Sequence, residues 1–131
     1  MEELFNIGIS ENTINNMLEI NPSIKDMTNN EIITKIALLK KLNCSDNEII
    51  NIISSNPLYL NKTNEEIIIL TKYLIKLGLA TLNILFDSNP YILDLEPFEI
   101  TNYLNKRIDN GENINDIIDD LDTNPYLFNE M

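Results

Sequence analysis

The sequence predicts an all-α protein, a short α-solenoid of about three and a half repeats, each 33 to 35 residues long. Three observations predict it: an Asn-Pro dipeptide recurs at nearly constant spacing, apolar residues at helical spacing precede each copy, and helix-capping residues follow at a fixed distance. A composition of 44% hydrophobic residues and only three Gly is too apolar for a disordered chain and too Gly-poor for a turn-rich β-sandwich or barrel. At 131 residues, the chain has the length of one domain.

The Asn-Pro dipeptide defines the repeat. Its intervals are 35, 33 and 35 residues, measured between Asn21, Asn56, Asn89 and Asn124. Apolar residues stand seven and three positions before each Asn, and such an i, i+4 pair forms one face of a short helix. These residues are Ile14, Ile49, Leu82 and Ile117 at the first position, and Leu18, Ile53, Phe86 and Leu121 at the second.

We call the helix before each Asn-Pro helix A. Eleven residues before the Asn stand Ser10, Ser45, Gly78 and Asn113. Ser and Asn are good N-cap residues, and Ser45 with Glu48 forms a capping box. The pattern predicts A helices over about 11–20, 46–55, 79–88 and 114–122.

A second helix, B, is predicted after each Asn-Pro in three of the copies. Seven residues after the Asn stand Thr28, Thr63 and Glu96, each followed three residues later by Glu. The two copies that begin with Thr form capping boxes, and Glu96-Pro97 places Pro at the first helical position of the third copy. The pattern predicts B helices over about 29–42, 64–77 and 97–109. Between A and B, Pro disfavours helical backbone in the residue before it, so we expect the Asn to cap and the Pro to begin a short helical turn.

Such a repeat cannot bury its apolar face alone, so stacked copies must share one core. We therefore expect one helical-repeat domain over 1–131, of either hand. Its repeats are predicted to cover about 8–42, 43–77, 78–110 and a truncated 111–131, with residues 110–113 as an inter-repeat loop.

These features resemble the repeat of the mitochondrial transcription termination factor (mTERF) family, or of an mTERF-like bacterial helical-repeat protein. The residues that carry the resemblance follow each Asn: Pro57-Leu58-Tyr59-Leu60, Pro90-Tyr91-Ile92-Leu93, Pro22-Ser23-Ile24-Lys25 and Pro125-Tyr126-Leu127-Phe128. The resemblance implies a curved α-solenoid, and many members of that family bind nucleic acid to regulate organellar gene expression. This chain departs from the family in its short length, its strong acidity and its single Arg, Arg107.

The residue inventory predicts no catalytic residue, no metal site and no cofactor. The chain has no His and one Cys, which excludes His-dependent nucleophilic catalysis, imidazole–zinc sites and an internal disulfide. Cys44 stands at a repeat core position, where we expect an inert small hydrophobe rather than a nucleophile. The carboxylates stand on polar helix positions, with no glycine-rich phosphate loop or two-sided cleft.

An acidic surface is the first candidate binding surface. The net charge is −12, of which −9 lies in residues 87–131. In the last A helix, Asp116, Asp119 and Asp120 share one face, and Asp122 stands beside them. The alternatives are a solvated acidic face, a surface for a basic protein partner and, as the weakest, a Ca²⁺ or Mg²⁺ site.

A basic ridge along the B helices is the second candidate. It comprises Lys40, Lys41, Lys72, Lys76, Lys106 and Arg107, with Lys35 on the same helix as the first two. Stacking could align these residues along a phosphate backbone, but cations near helix C-termini also offset the helix dipole without any ligand. Tyr91 and Tyr126 are expected to be exposed and could stack on bases, whereas the register of Tyr59 predicts a core residue.

The leading hypothesis is a non-enzymatic interaction module that binds a protein partner through the acidic surface, and the net charge of −9 over residues 87–131 motivates it. The overall charge of −12 opposes non-specific attraction to nucleic acid or anionic membrane. The alternative is mTERF-like nucleic-acid binding along the ridge. No small-molecule substrate is implied. The N-terminus lacks signal or transit features and the apolar runs are too short to span a bilayer, so we expect a cytoplasmic location.

Overall fold

The computed structural model describes all 131 residues, and it confirms the predicted all-α fold. The chain has eight α-helices and four short 3₁₀ segments, one after each successive pair of α-helices. The α-helices are α1 (Glu2–Ile7), α2 (Glu11–Ile20), α3 (Asn29–Lys41), α4 (Asp46–Ser55), α5 (Asn64–Leu77), α6 (Leu82–Ser88), α7 (Pro97–Asp109) and α8 (Ile114–Thr123). The 3₁₀ segments are Pro22–Asp26, Pro57–Asn61, Pro90–Asp94 and Pro125–Glu130.

The helices form two rows. The B row consists of α1, α3, α5 and α7, each packed against the next. The A row consists of α2, α4, α6 and α8, in which α2 packs on α4 and α4 on α6, while α8 joins α7. Each of α2, α4 and α6 also packs on the 3₁₀ segment of the following repeat. The core lies between the rows and runs the length of the stack as one cluster.

The predicted B helices agree with the structure to within one residue, and so do the A helices except the third. That helix begins at Leu82 instead of residue 79, because Gly78 ends α5 in the left-handed conformation (φ 105°) rather than starting α6. Gly8, Asn43 and Gly111 hold the same conformation at the other turns between repeats. The third A helix is shorter than its counterparts, which explains the 33-residue interval. Helix α1 was not predicted; it takes the place of a short B helix.

The apolar register is confirmed by burial. The residues seven positions before each Asn are all buried, as are Ile53, Phe86 and Leu121 three positions before it, while Leu18 is half-buried. Three residues after the Asn, Ile24, Tyr59 and Ile92 are also buried. These positions form the shared core that the repeat pattern requires.

The capping boxes at Thr28 and Ser45 are confirmed, with side chain and backbone bonded in both directions. At Thr63 the hydroxyl accepts the Glu66 N–H (3.1 Å), but the Glu66 carboxylate bonds the Thr63 hydroxyl rather than the Thr63 N–H. The Glu99 carboxylate accepts the Glu96 N–H at 2.8 Å. These bonds satisfy amide groups that a helix N-terminus leaves without partners.

The repeat Asn stands at the N-cap position of the 3₁₀ segment that Pro begins, as predicted, but its side chain does not form a capping bond. Asn21, Asn56 and Asn89 make no side-chain cap, and each is only 2% exposed. Each Nδ2 instead donates to the next repeat, to the carbonyl of Pro57, Pro90 or Pro125 at 3.0 to 3.2 Å. Its second acceptor is the Oδ1 of Asn61, Asp94 or Asn129. We call Asn21, Asn56 and Asn89 the amide ladder.

No single helix is long and apolar enough to cross a membrane. Helices α5 and α6 reach that length and apolarity only together, across a bend of 113°.

Candidate binding surfaces

The acidic surface lies on the outer side of α8. This helix buries Ile117, Ile118 and Leu121, which turns its polar side to solvent. All four predicted carboxylates, Asp116, Asp119, Asp120 and Asp122, are exposed. Only Asp120 has a partner, Arg107, at 2.6 Å.

Arg107 ties α7 to α8. Its Nε and Nη2 donate to the two carboxylate oxygens of Glu112 at 2.9 and 2.6 Å, and Nη2 also donates to Asp120 Oδ2 at 2.6 Å. The Tyr103 hydroxyl accepts from Nη1 at 3.0 Å, and the guanidinium lies 5.6 Å from the centre of that ring. The bonds to Glu112 and Asp120 raise the pKa of Arg107, and the pKa of Glu112 is lowered in return.

Arg107 was predicted as part of the basic ridge, but these contacts remove it from the ridge. The turn after α7 brings Glu112 and Asp120 onto Arg107, so its charge is neutralised within the chain. The five lysines of the ridge, Lys40, Lys41, Lys72, Lys76 and Lys106, are exposed and form no ion pair. Lys41 and Lys76 occupy the same repeat position, two residues before Asn43 and Gly78, whereas α7 has Asp109 there. The lysines therefore do not form a strictly periodic row.

Lys35 lies apart from the ridge because its side chain is buried. It is 7% exposed, and its Nζ donates to Asn64 Oδ1 at 2.6 Å. Burial lowers the pKa of Lys35, although the nearby carboxylates of Glu31 and Glu66 partly oppose the shift. The sequence placed Lys35 on the same helix as two ridge lysines but did not predict this burial.

Charge is also divided between the two rows, which was not predicted from the sequence. The A row carries nine Asp and Glu residues and no Lys or Arg. The B row carries seven acidic and seven basic residues and is neutral. The acidity of α8 is thus the end of a wholly acidic row. The signal was present in the sequence, and counting charges helix by helix would have found it.

Cys44 and the tyrosines lie where the register predicts. Cys44 is buried, and burial, with the carboxylates of Glu48 and Asp87, raises the pKa of its thiol to about 12. Tyr59 is fully buried and donates its hydroxyl to the Lys35 carbonyl at 2.7 Å. Tyr91 and Tyr126 are more than half exposed, and the Tyr91 hydroxyl donates to the Ser55 carbonyl at 3.1 Å.

No three Cys, Asp or Glu side chains are grouped so that they could hold a metal ion.

Comparison with known proteins agrees with the architecture. The model of the mTERF family matches residues 1–116, most of the chain. No curated protein matches the sequence. mTERF is a family of non-enzymatic helical repeats. The repeat bounds, the two stacked rows and this match lead to one conclusion: the chain belongs to the mTERF family.

Proposed function

We propose that this chain is a non-enzymatic binding module that recognises a basic protein partner through the carboxylates of α8. The observation that carries the proposal is the state of Asp116, Asp119 and Asp122, which are exposed and have no hydrogen-bond or ion-pair partner. They end a row that contains no cation. Carboxylates in such a setting attract a basic surface and accelerate its association.

Asp120 has a different role in this proposal. Its carboxylate holds Arg107, so it positions α8 against α7 instead of contacting the partner. The four predicted residues therefore divide into three that meet the partner and one that fixes their helix.

The test is capture from lysate of the source cells by the tagged chain and by a variant with Asp116→Asn, Asp119→Asn and Asp122→Asn. The matched control is Glu11→Gln, Glu19→Gln and Asp46→Asn, which removes equal charge from exposed positions of the same row. We expect the α8 variant to lose a basic protein that the wild type and the control retain. Retention of every partner by the α8 variant would reject the proposal.

Nucleic-acid binding along the lysine ridge is the second candidate. Family membership favours it, since many mTERF proteins bind nucleic acid, and so do the five exposed, unpaired lysines. Five phosphate contacts would give a slope of log K against log salt of about −4.5.

Fluorescence anisotropy with random duplex DNA and with single-stranded RNA, at about 50 mM salt, tests this candidate. If the ridge binds, Lys41→Gln/Lys76→Gln weakens binding and flattens the slope, whereas Lys25→Gln/Lys62→Gln does so less. Absence of binding at this salt concentration would reject nucleic acid as the partner. Equal loss in both double variants would reject the ridge as the site.

A further inference from the structure

Three grooves between successive repeats follow one another along the B row, and we call them together the trough. The first groove (about 530 Å³) lies between repeats one and two and contains Asp26 and Lys35. The second (about 210 Å³) contains Ile69 and Leu93, and the third (about 270 Å³) contains Glu130. Lys62 lines both the first and the second groove, and Phe98 lines both the second and the third. The three grooves therefore follow one another, with Lys62 and Phe98 at the boundaries between them.

The middle of the trough is apolar. Ile69 and Phe98 are 51% and 59% exposed there, above the buried Leu93. Large apolar side chains left half in water beside a concave surface are typical of a binding site. The groove has room for one bulky side chain.

The trough as a whole carries a net negative charge. Six carboxylates line its three grooves, against three lysines. Lys62 faces Glu66 at 4.0 Å. With that pair set aside, Asp26 and Glu31 stand against Lys35 in the first groove, and Glu99 and Glu130 against Lys106 in the third, so each end has one negative charge in excess. Asp26 in the first groove and Glu130 in the third form neither a hydrogen bond nor an ion pair within the chain. Charge complementarity therefore calls for a basic group at each end.

We propose that the trough binds an extended peptide with one bulky apolar residue at its centre and a basic residue about three positions away on each side. Neighbouring repeats are about 10 Å apart, and three extended residues span about the same distance. The proposal rests on the proposed function in that the partner is a basic protein, but it assigns recognition to a second surface, which contains none of the α8 carboxylates.

The probe is a labelled peptide of about seven residues, with Lys at both ends, Phe at the centre and Gly and Ser between, blocked at both termini. Its anisotropy with the full chain should rise on binding. Central Phe→Ala should weaken binding about tenfold or more, since burial of a Phe side chain is lost. Moving both Lys residues next to the Phe should also weaken it, because they no longer reach the ends of the trough.

Protein variants locate the site. Ile69→Asn should weaken binding about tenfold, and Phe98→Ser should act in the same direction. Ile84→Asn is the matched control, because Ile84 is equally exposed (55%) but lies on the A row. Asp26→Asn/Glu130→Gln should weaken binding and reduce its salt dependence. Thermal melting of each variant confirms that it is folded.

Several outcomes would overturn the inference. They are absence of peptide binding, equal affinity for the Phe and Ala peptides, equal effects of Ile69→Asn and Ile84→Asn, or tighter binding of a single-stranded RNA with the same sensitivity to Ile69→Asn. The α8 triple variant separates the two proposals. Peptide binding that survives it supports the trough even if capture of a partner by α8 fails, and peptide binding that it abolishes would contradict the trough.

Discussion

Asn56 joins its repeat to the next through the carbonyl of Pro90, which accepts the Asn56 side-chain N–H at 3.2 Å. The same amide donates to Asp94 Oδ1 at 3.0 Å, and the side chain is 2% exposed. An amide is needed there because the position must donate twice to acceptors on one segment. The equivalent Asn124 is exposed and forms no such bond, so it provides a natural comparison.

Asn56→Ala should lower the free energy of unfolding by about 2 kcal/mol, because two hydrogen bonds are lost and a partly buried acceptor is left without its donor. Urea unfolding followed by circular dichroism measures the change. Asn124→Ala should alter stability by less than about 0.5 kcal/mol. Similar losses in both variants would show that the amide ladder does not couple the repeats.

Arg107→Gln should lower stability by about 1 kcal/mol near neutral pH, the scale of a well-formed surface ion pair, and less at high salt. Because folding lowers the pKa of Glu112, its ion pair with Arg107 stabilises the folded state above the pKa that Glu112 has in the unfolded chain. This stabilisation is lost as the pH falls through the pKa of Glu112 in the folded protein. The difference between wild type and variant should therefore shrink as acid is added. A difference that grows on acidification would contradict this assignment.

Lys35→Met should raise stability by about 1 kcal/mol at neutral pH, because it removes a buried ammonium that has one neutral partner. Lys72→Met, at an exposed position of α5, is the control and should have little effect. The pKa of Lys35 is lowered on folding, so the unfolded chain binds more protons and wild-type stability gains as pH rises toward the unfolded value. The difference in the free energy of unfolding between Lys35→Met and the wild type should therefore decrease as the pH rises over that range. An increase in this difference would show that Lys35 is not destabilised by its burial.

Cys44 should react slowly with a disulfide reagent in the folded protein. A pKa raised from 9.0 to about 12 reduces the reactive thiolate about a thousandfold at mildly alkaline pH. Absorbance assays with and without guanidinium chloride compare the folded and unfolded rates. Ser88→Cys in a Cys44→Ala background places the thiol at an exposed site and should react rapidly. Equal rates for the two thiols would show that Cys44 is accessible.

The repeat made most of the fold predictable. Residues such as Ile49 and Ile53 align between copies, and the box at Ser45 marks a helix start by local chemistry alone. The start of the third A helix was predicted wrongly at Gly78. Its spacing, eleven residues before Asn89, matches the helix starts of the other copies, but α6 is shorter than its counterparts and Gly78 ends α5 instead. The interval from Asn56 to Asn89 is two residues shorter than the other two intervals. Spacing alone does not show whether the helix before the turn or the helix after it is shortened.

The surfaces were less predictable, because pairing depends on contacts between elements. The exposure of Asp116 follows from its helix period, whereas the bond between Arg107 and Asp120 requires the angle between α7 and α8. The burial of Lys35 depends on Asn64 in the next repeat. The role of Asn56 was missed because capping is a local explanation and its acceptors lie 34 and 38 residues away.

The association rate of the captured protein partner tests the central claim most directly, measured for the wild type and for Asp116→Asn/Asp119→Asn/Asp122→Asn at low and high salt. If the α8 carboxylates guide the partner, the wild-type rate falls at least about tenfold between these conditions. The variant should associate slowly in both, with a nearly unchanged dissociation rate. Equal association rates and equal salt dependence in the two proteins would contradict recognition through α8.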